Sequence, residues 1–588
     1  MKKKNLSKST TPANWKCFAG SFIAIGIYSA ILISCFSPGV MVNDDIAMMS
    51  FSNGDFTGTP ESQLVFIGFF VGGLLKLLYS FSSTLPWYAL LFVLLQILSG
   101  SVLLTVWYKI LKGRINRSFL SVAGLVALVT PVLVLDLSFS TTAMYLSACG
   151  LVSLALVVEN YREQGPLITV AIASILVLAS SLRFDFFLAA ALLILPIYLL
   201  HLKNLSRLTA MLTLGILLLP VATHFVENQI SKTDDWARYR EFNALRGSMH
   251  GTPGLARFVA GAYEKETYEK TREFGWESED LLLFGNWYFE DAQIFNVSSL
   301  ERLRENIDTG VTRIPLQASL ENIIFGRELL ILFGVMIVFF GATFSVSKQK
   351  NFILFQALWF LTIAVYISSR TRFPDRFAVG AVVGLYICML AANLILVSRQ
   401  ASVDNENDFR HRKIEILFFT GLIITGVFLF PHKFSAAQIS NQNKIESTRL
   451  KTEIQTLDDV DPNGTFVYIG AQIMAEGINP WSERTIFDKN RLLGLGWATQ
   501  SPHQENRKRS MGLDGNFVAQ FVDATDKYLI TSDEIAYLLE HSHEKREKKM
   551  IKFVGLKGLT YGTIFKVVSE REVRESVDVA SGSVTRQR

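Results

Sequence analysis

Val42-Asn43-Asp44-Asp45, followed by Asn53-Gly54-Asp55 and Gly58-Thr59-Pro60-Glu61, decides how this chain is read. The stretch sits directly behind an apolar run from about Phe18 to Ser37, and no Lys or Arg occurs between Ser37 and Glu61. An acidic pair at a membrane surface without local counter-charge must be solvated, bound to a metal, or sharing a proton. Neighbouring carboxylates suit two tasks. One takes a proton from an acceptor hydroxyl or amide, and the other orients the first or holds a metal. The plain alternative is a helix cap, with Asp44 or Asp45 opening a helix at Ile46. Such pairs are common: Asp234-Asp235 is a second one and is given no role.

Working outward, the rest of the chain is built for a bilayer. Of 588 residues, 50% are apolar, 12% aromatic and only 19% charged, and the mean hydropathy is +0.31. A soluble chain carries nearer a quarter charged residues. A net charge of +5 with scattered basic residues argues against nucleic acid as a partner. The cysteines Cys17, Cys35, Cys149 and Cys388 form no CxxC or zinc spacing. Lys2-Lys3-Lys4, Lys8 and Lys16 precede the run 18–37, which reads as a retained signal anchor. Further runs fall near 86–108, 118–137, 141–158, 166–182, 186–200, 208–226, 329–346, 352–369, 377–397 and 415–431, making eleven candidate spans. At about 1.5 Å per residue each crosses, or nearly crosses, a hydrocarbon core of about 30 Å.

The stretch 63–80 is also apolar, and charge asymmetry decides its reading. If it does not span, the short inner pieces hold 18 basic residues and the short outer loops hold 4. If it spans, the counts become 9 inside and 13 outside. The positive-inside rule prefers the first arrangement, so 63–80 is expected to lie at the outer interface. The chain therefore reads as an α-helical polytopic membrane protein of about eleven transmembrane helices. It has an interfacial helix in the first outer loop and a small C-terminal extracytoplasmic α/β domain. The expected divisions are a basic inner N-terminus (1–17), a transmembrane module (18–226) with the acidic loop 38–62 and the helix 63–80, an outer loop (227–328), further spans (329–431) and the tail (432–588). In the tail, Phe466–Ile469, Lys527–Ile530, Ile551–Val554 and Thr563–Val568 read as strands. Thr531 with Glu534 reads as a capping box opening a helix to about Lys548.

The order of these features resembles the GT-C integral-membrane glycosyltransferases, above all the protein O-mannosyltransferase and aminoarabinose transferase branch. That order is one span, an acidic motif at its outer end, a Pro-containing turn, a juxtamembrane helix, and a span opened by Pro86-Trp87. The resemblance is one of motifs over about Phe18–Tyr108 and of topology beyond. It departs at the turn, where the family often has paired prolines after a basic residue and this chain has Thr59-Pro60-Glu61. It implies transfer of a sugar from a polyprenyl-phosphate donor to an envelope glycan, lipid or protein acceptor, at the outer face of the cell membrane. It also implies an acidic residue at the position of Asp45 as base or acceptor-positioning group; the expected step is an in-line displacement with inversion at the anomeric carbon, Asp45 as base and Asp44 as its partner or a metal ligand. Whether Asp44, with Asp55 or Glu61, holds Mg²⁺ or Mn²⁺ stays open. Arg370, Arg372 and Arg376 crowd one short outer loop and Arg183 lies in another, against the charge rule; a lipid-linked phosphate would compensate, since guanidinium matches it in a bidentate fork. Lipid headgroups, or pairing with Asp375 and Asp185, would do the same. The loop 227–325 is long and aromatic, with Trp276 and Trp287 as candidate sugar-stacking faces. Glu279, Asp280, Glu290 and Asp291 read as a solvated face, and His541 and His543 as surface histidines. A Wzy-like polysaccharide polymerase or ligase, or a flippase, would use the same arginines but needs no carboxylate at Asp45.

Overall fold

The structure, a computed structural model, describes residues 11–111, 117–159, 166–202, 206–230, 233–250, 271–306, 435–469, 491–513, 517–560 and 562–572, with a few single positions between them. The expected spans 329–346, 352–369, 377–397 and 415–431 lie outside the described residues, apart from single positions.

Helix α1 (Thr11–Cys35) follows the basic N-terminus. After it come α2 (Asn43–Asn53), α3 (Phe69–Phe81), α4 (Trp87–Ile110), α5 (Arg117–Leu135), α6 (Phe139–Glu159), α7 (Pro166–Leu182), α8 (Phe184–Leu202) and α9 (Arg207–Ile230). Among the described residues, α1, α4, α6 and α9 are long and apolar enough to cross a membrane; α3, α5, α7 and α8 hold shorter apolar segments. The chain is a multi-pass membrane protein by that measure. Helix α6 is the centre, packed against α4, α7 and α8. Small and hydroxylated residues let these helices close up. A Cβ on Gly150 would meet Leu176 Cδ2 at 2.7 Å, and Gln96 Nε2 donates to Thr142 Oγ1 across α4 and α6 at 2.8 Å. Ser147 returns its hydroxyl to Ala143 O at 2.7 Å, so its polarity is satisfied within α6. Helices α1 and α9 instead turn Ile23, Ile27, Leu208, Met211 and Phe225 outward, the surface a helix offers to hydrocarbon.

The first polar loop is pinned at both ends. β1 (Gly39–Val40) pairs in parallel with β2 (Asp136–Leu137), which ties the loop to the junction of α5 and α6. The expected interfacial helix is α3, thirteen residues long and so about 20 Å. Its first amides are held by neighbours: Gly68 N donates to Ser181 O (2.6 Å) and Phe70 N to Glu227 Oε1 (2.8 Å). Glu227 thus places a carboxylate at a helix N-terminus, where exposed N–H groups and the helix dipole favour negative charge. Gly68 permits this approach, because a Cβ there would meet Glu227 Oε1 at 2.5 Å.

The second polar loop contributes α10 (Asp234–Met249), α11 (Ser278–Gly285) and α12 (Val297–Asn306). The tail opens with α13 (Ala436–Val460) and folds into a five-stranded sheet of order β4-β3-β5-β7-β6. β4 (Leu492–Leu495), β3 (Thr465–Ile469) and β5 (Lys527–Thr531) are parallel, while β7 (Gly562–Ser569) and β6 (Ile551–Leu559) close it as an antiparallel hairpin. Helices α14 (Pro502–Ser510) and α15 (Asp533–Glu547) flank it. The cap of α15 is Ser532 rather than Thr531. Ser532 Oγ accepts from Ile535 N, whereas Thr531 ends β5 and donates to Ile469 O at 3.2 Å. Helix α13 clamps the first loop, since Asn443 Nδ2 donates to Ser37 O (3.0 Å) and Leu135 O (2.9 Å).

Candidate functional site

Helix α2 begins at Asn43, so both aspartates lie in its first turn. Val42 is the N-cap and makes no side-chain bond, so capping is not what the carboxylates do. Gly54 ends the helix at φ 86, where a Cβ would strike Thr59 C at 2.6 Å. The turn then folds back, with Glu61 N donating to Phe51 O at 3.1 Å.

Asp45 is wholly buried. Its Oδ1 accepts from the Tyr88 hydroxyl (3.0 Å) and the Phe139 amide (2.8 Å). Its Oδ2 has no hydrogen-bond partner. Burial pushes the carboxyl from 3.8 up to about 7, against the Phe139 amide and the Tyr88 and Ser138 hydroxyls, and the charge of Asp44 pushes the same way. Asp45 therefore holds a proton more readily than a solvated carboxylate does. Asp44, 6% exposed, faces the second loop. Its charge acts on Tyr239 and on Arg246, whose guanidinium burial lowers to about 10 while Tyr239 and Asp44 pull it back up. Arg246 lies 4.9 Å over the Trp287 ring and donates to Asn243 Oδ1 through Nη2 at 2.6 Å. His250, 4.5 Å from the Trp287 ring, is pushed down to about 3 by burial and by Arg246.

Arg183 completes one side. Its guanidinium lies over Phe66 (5.2 Å) and Phe139 (5.6 Å), and its Nε is 3.9 Å from Asp185 Oδ2. Arg183 and Asp45 thus both engage Phe139, one its ring and the other its amide. Phe66 also packs on Trp497 of the tail, with ring centres 4.7 Å apart.

The tail covers the loop. Tyr239 donates to Trp497 O at 2.9 Å, and His503 Nε2 lies 2.7 Å from Gln63 O. Arg507 Nη1 reaches Asp55 O at 3.5 Å; burial lowers its guanidinium to about 10, opposed by Asp55. Asp55 also accepts from Asn53 Nδ2 at 2.7 Å, and Glu61 lies 4.0 Å from Lys76.

The structure thus brings Asp44, Asp45, Arg183 and, through Arg246, Trp287 to one place, while Asp55 and Glu61 lie in the turn after α2, near Arg507 and Lys76 respectively. Trp276 is elsewhere: 1% exposed, its indole donates to Ile294 O at 3.1 Å and its ring packs on Phe284 and Phe295. It is a core residue with no face left for a sugar. Arg370, Arg372 and Arg376 lie outside the described residues. Two readings of the second loop and tail are corrected. Asp280 and Glu290 are buried rather than solvated, paired with Arg546 and Lys508, and His543 is buried too. The sequence reading missed Tyr88, Phe139, Tyr239, Arg246, Trp497, His503 and Arg507.

The donor set does not suit a metal. Among the described residues no three of His, Cys, Asp and Glu converge on a point, and Asp45 Oδ1 is already taken by two hydrogen-bond donors.

Fold and site define a multi-pass membrane protein with a buried carboxylate where its first loop meets the bundle. The chain is similar to the crystal structure of ArnT from Cupriavidus metallidurans in the apo state, at 12% identity and a TM-score of 0.48, over 92% of this chain and 96% of that one. No family model and no curated protein matches the sequence.

Proposed function

We propose that the chain is a membrane glycosyltransferase that moves a sugar from a polyprenyl-phosphate donor to a cell-envelope acceptor on the extracytoplasmic face, with inversion. The observation that carries this reading is Asp45: a buried carboxylate raised to about 7, with Oδ1 anchored by two donors and Oδ2 unpartnered. A general base works best with its pKa near the working pH. In the proposed step, Oδ2 takes the acceptor's O–H or N–H proton as that atom bonds to the anomeric carbon. The bond from that carbon to the phosphate oxygen breaks, and polyprenyl phosphate leaves with the electron pair. Tyr88 and the Phe139 amide hold the carboxylate in place, and Asp44, in the same turn, adds to the proton affinity that burial sets and acts on Arg246. Arg183, with Arg370, Arg372 and Arg376, meets the charge that develops on the leaving phosphate. Trp287, held under Arg246, lines the acceptor side.

The test is transfer in proteoliposomes from a panel of labelled polyprenyl-phosphate sugars to an envelope extract. Label is expected to leave the lipid fraction with wild type and not with Asp45→Asn. Equal transfer by both proteins refutes the base and favours an arginine-centred polymerase or ligase. No transfer by either protein counts against a transferase and for a flippase.

A further inference from the structure

A cleft of about 1600 Å³ opens between the second polar loop and the tail. It exceeds the roughly 300–1,000 Å³ of a site for a drug-sized ligand. Its walls are fixed to each other by ion pairs between α11 and α15: Lys545 Nζ lies 2.8 Å from Glu279 Oε1, and Arg546 Nη2 2.5 Å from Asp280 Oδ2.

Glu290 lines this cleft and is 5% exposed. Lys508 pairs with its Oε1, while Oε2 has no hydrogen-bond partner. A buried carboxylate oxygen without a donor is costly, and a ligand hydroxyl would relieve that. Burial raises the same carboxyl to about 7, against the charge of Lys508. The rim carries both signs, with Arg238 and Arg509 beside Asp235 and Asp291, and adds the amides of Gln293 and Asn506. With six carboxylates against four Lys and Arg in all, the lining disfavours a polyanion, and buried Glu290 disfavours a phosphate. Tyr239 lines the cleft and also feels the charge of Asp44, so one side chain links the cleft to the field of the carboxylate pair, which itself lies outside the lining.

We propose that this cleft is the acceptor subsite and takes a neutral, polyhydroxylated saccharide, one of whose hydroxyls donates to Glu290. The proposal rests on the glycosyltransferase reading for the word acceptor, but the binding does not.

Full-length protein in nanodiscs is to be tested against immobilised neutral hexose oligomers of β-1,3, β-1,4, α-1,4 and α-1,6 linkage. Wild type and Asp45→Asn are expected to bind the same oligomer equally. Glu290→Ala, and Asn506→Trp at the exposed rim, are expected to weaken binding by about tenfold or more, the effect of one charge-assisted hydrogen bond. The rim variant leaves the buried ion pair intact, so a folding defect in Glu290→Ala does not decide the matter. No binding to any oligomer, or undiminished binding by both cleft variants, overturns the proposal. Binding at the cleft by a protein that transfers no sugar sinks the transferase reading and leaves the cleft a glycan site. Transfer lost in Asp45→Asn but unchanged in both cleft variants sinks the cleft alone.

Discussion

Replacing Asp45 by Asn separates function from stability, because burial makes the two move in opposite directions. The carboxyl is shifted from 3.8 to about 7, roughly three units at about 1.4 kcal/mol each, so its ionised form costs the fold about 4 kcal/mol at pH 8. The sign follows from the raised value. Below about pH 4 the group is neutral in both folded and unfolded chains, and stability falls as pH rises from there through about 7. In Asp45→Asn the amide oxygen still accepts from Tyr88 and Phe139, but the amide NH₂ takes the place of the unpartnered Oδ2, which costs about 1–3 kcal/mol. The variant is therefore expected to be about 1–3 kcal/mol more stable than wild type at pH 8. That advantage shrinks and reverses as pH falls toward 5. Thermal unfolding of the detergent-purified protein, followed by tryptophan fluorescence from pH 5 to 8.5, reads this. The wild-type-minus-variant difference cancels the titration of every other group. Transfer by the same variant is expected to fall by about a hundredfold or more. A stability difference that does not vary with pH would refute the buried-charge argument. Wild-type transfer would refute the base.

Tyr88→Phe removes one donor from Asp45 Oδ1, so the acid limb of the pH–rate profile is expected to move up by about one unit. A uniform loss at all pH values would contradict this. Arg183→Ala is expected to raise KM for the lipid donor by about tenfold and leave the acceptor KM unchanged, as loss of the proposed phosphate contact requires; steady-state kinetics with each substrate varied decides it. Gly54→Ala is expected to destabilise by about 2 kcal/mol or more, from φ 86 and the approach of Thr59 C, and a melting temperature equal to wild type would count against the described turn. Treatment with a chelator is expected to leave transfer unchanged, since no three metal-ligating side chains converge among the described residues; activity that disappears with EDTA and returns with Mn²⁺ would contradict the site as drawn.

Much of the bundle was legible because a bilayer demands long apolar runs, and such runs have visible ends. The expected run 166–182 coincides with Pro166–Leu182, and 86–108 lies within two residues of Trp87–Ile110. The aspartate pair was legible because nothing nearby neutralises it. Its partners were not. Tyr88 reads as an interface aromatic, and the donor at Phe139 is a backbone amide with no sequence signature. The contacts that seat the tail on the loop join residues 258, 440 and 452 positions apart, at Tyr239–Trp497, His503–Gln63 and Arg507–Asp55, which depend on how two folded units meet. One signal was nevertheless present. In α10, Trp236, Tyr239, Phe242 and Met249 form an apolar stripe at helical spacing, and Arg246 lies on that stripe, not opposite it. A guanidinium on the buried face of an amphipathic helix must be stacked or paired, and here it is stacked on Trp287 and within the field of Asp44. Arg507 repeats the pattern in α14, buried beside His503, Gln504 and Lys508 on a helix too polar overall to be read as packed. In both helices the misplaced cation, rather than any motif, points to the acidic loop it was folded to meet.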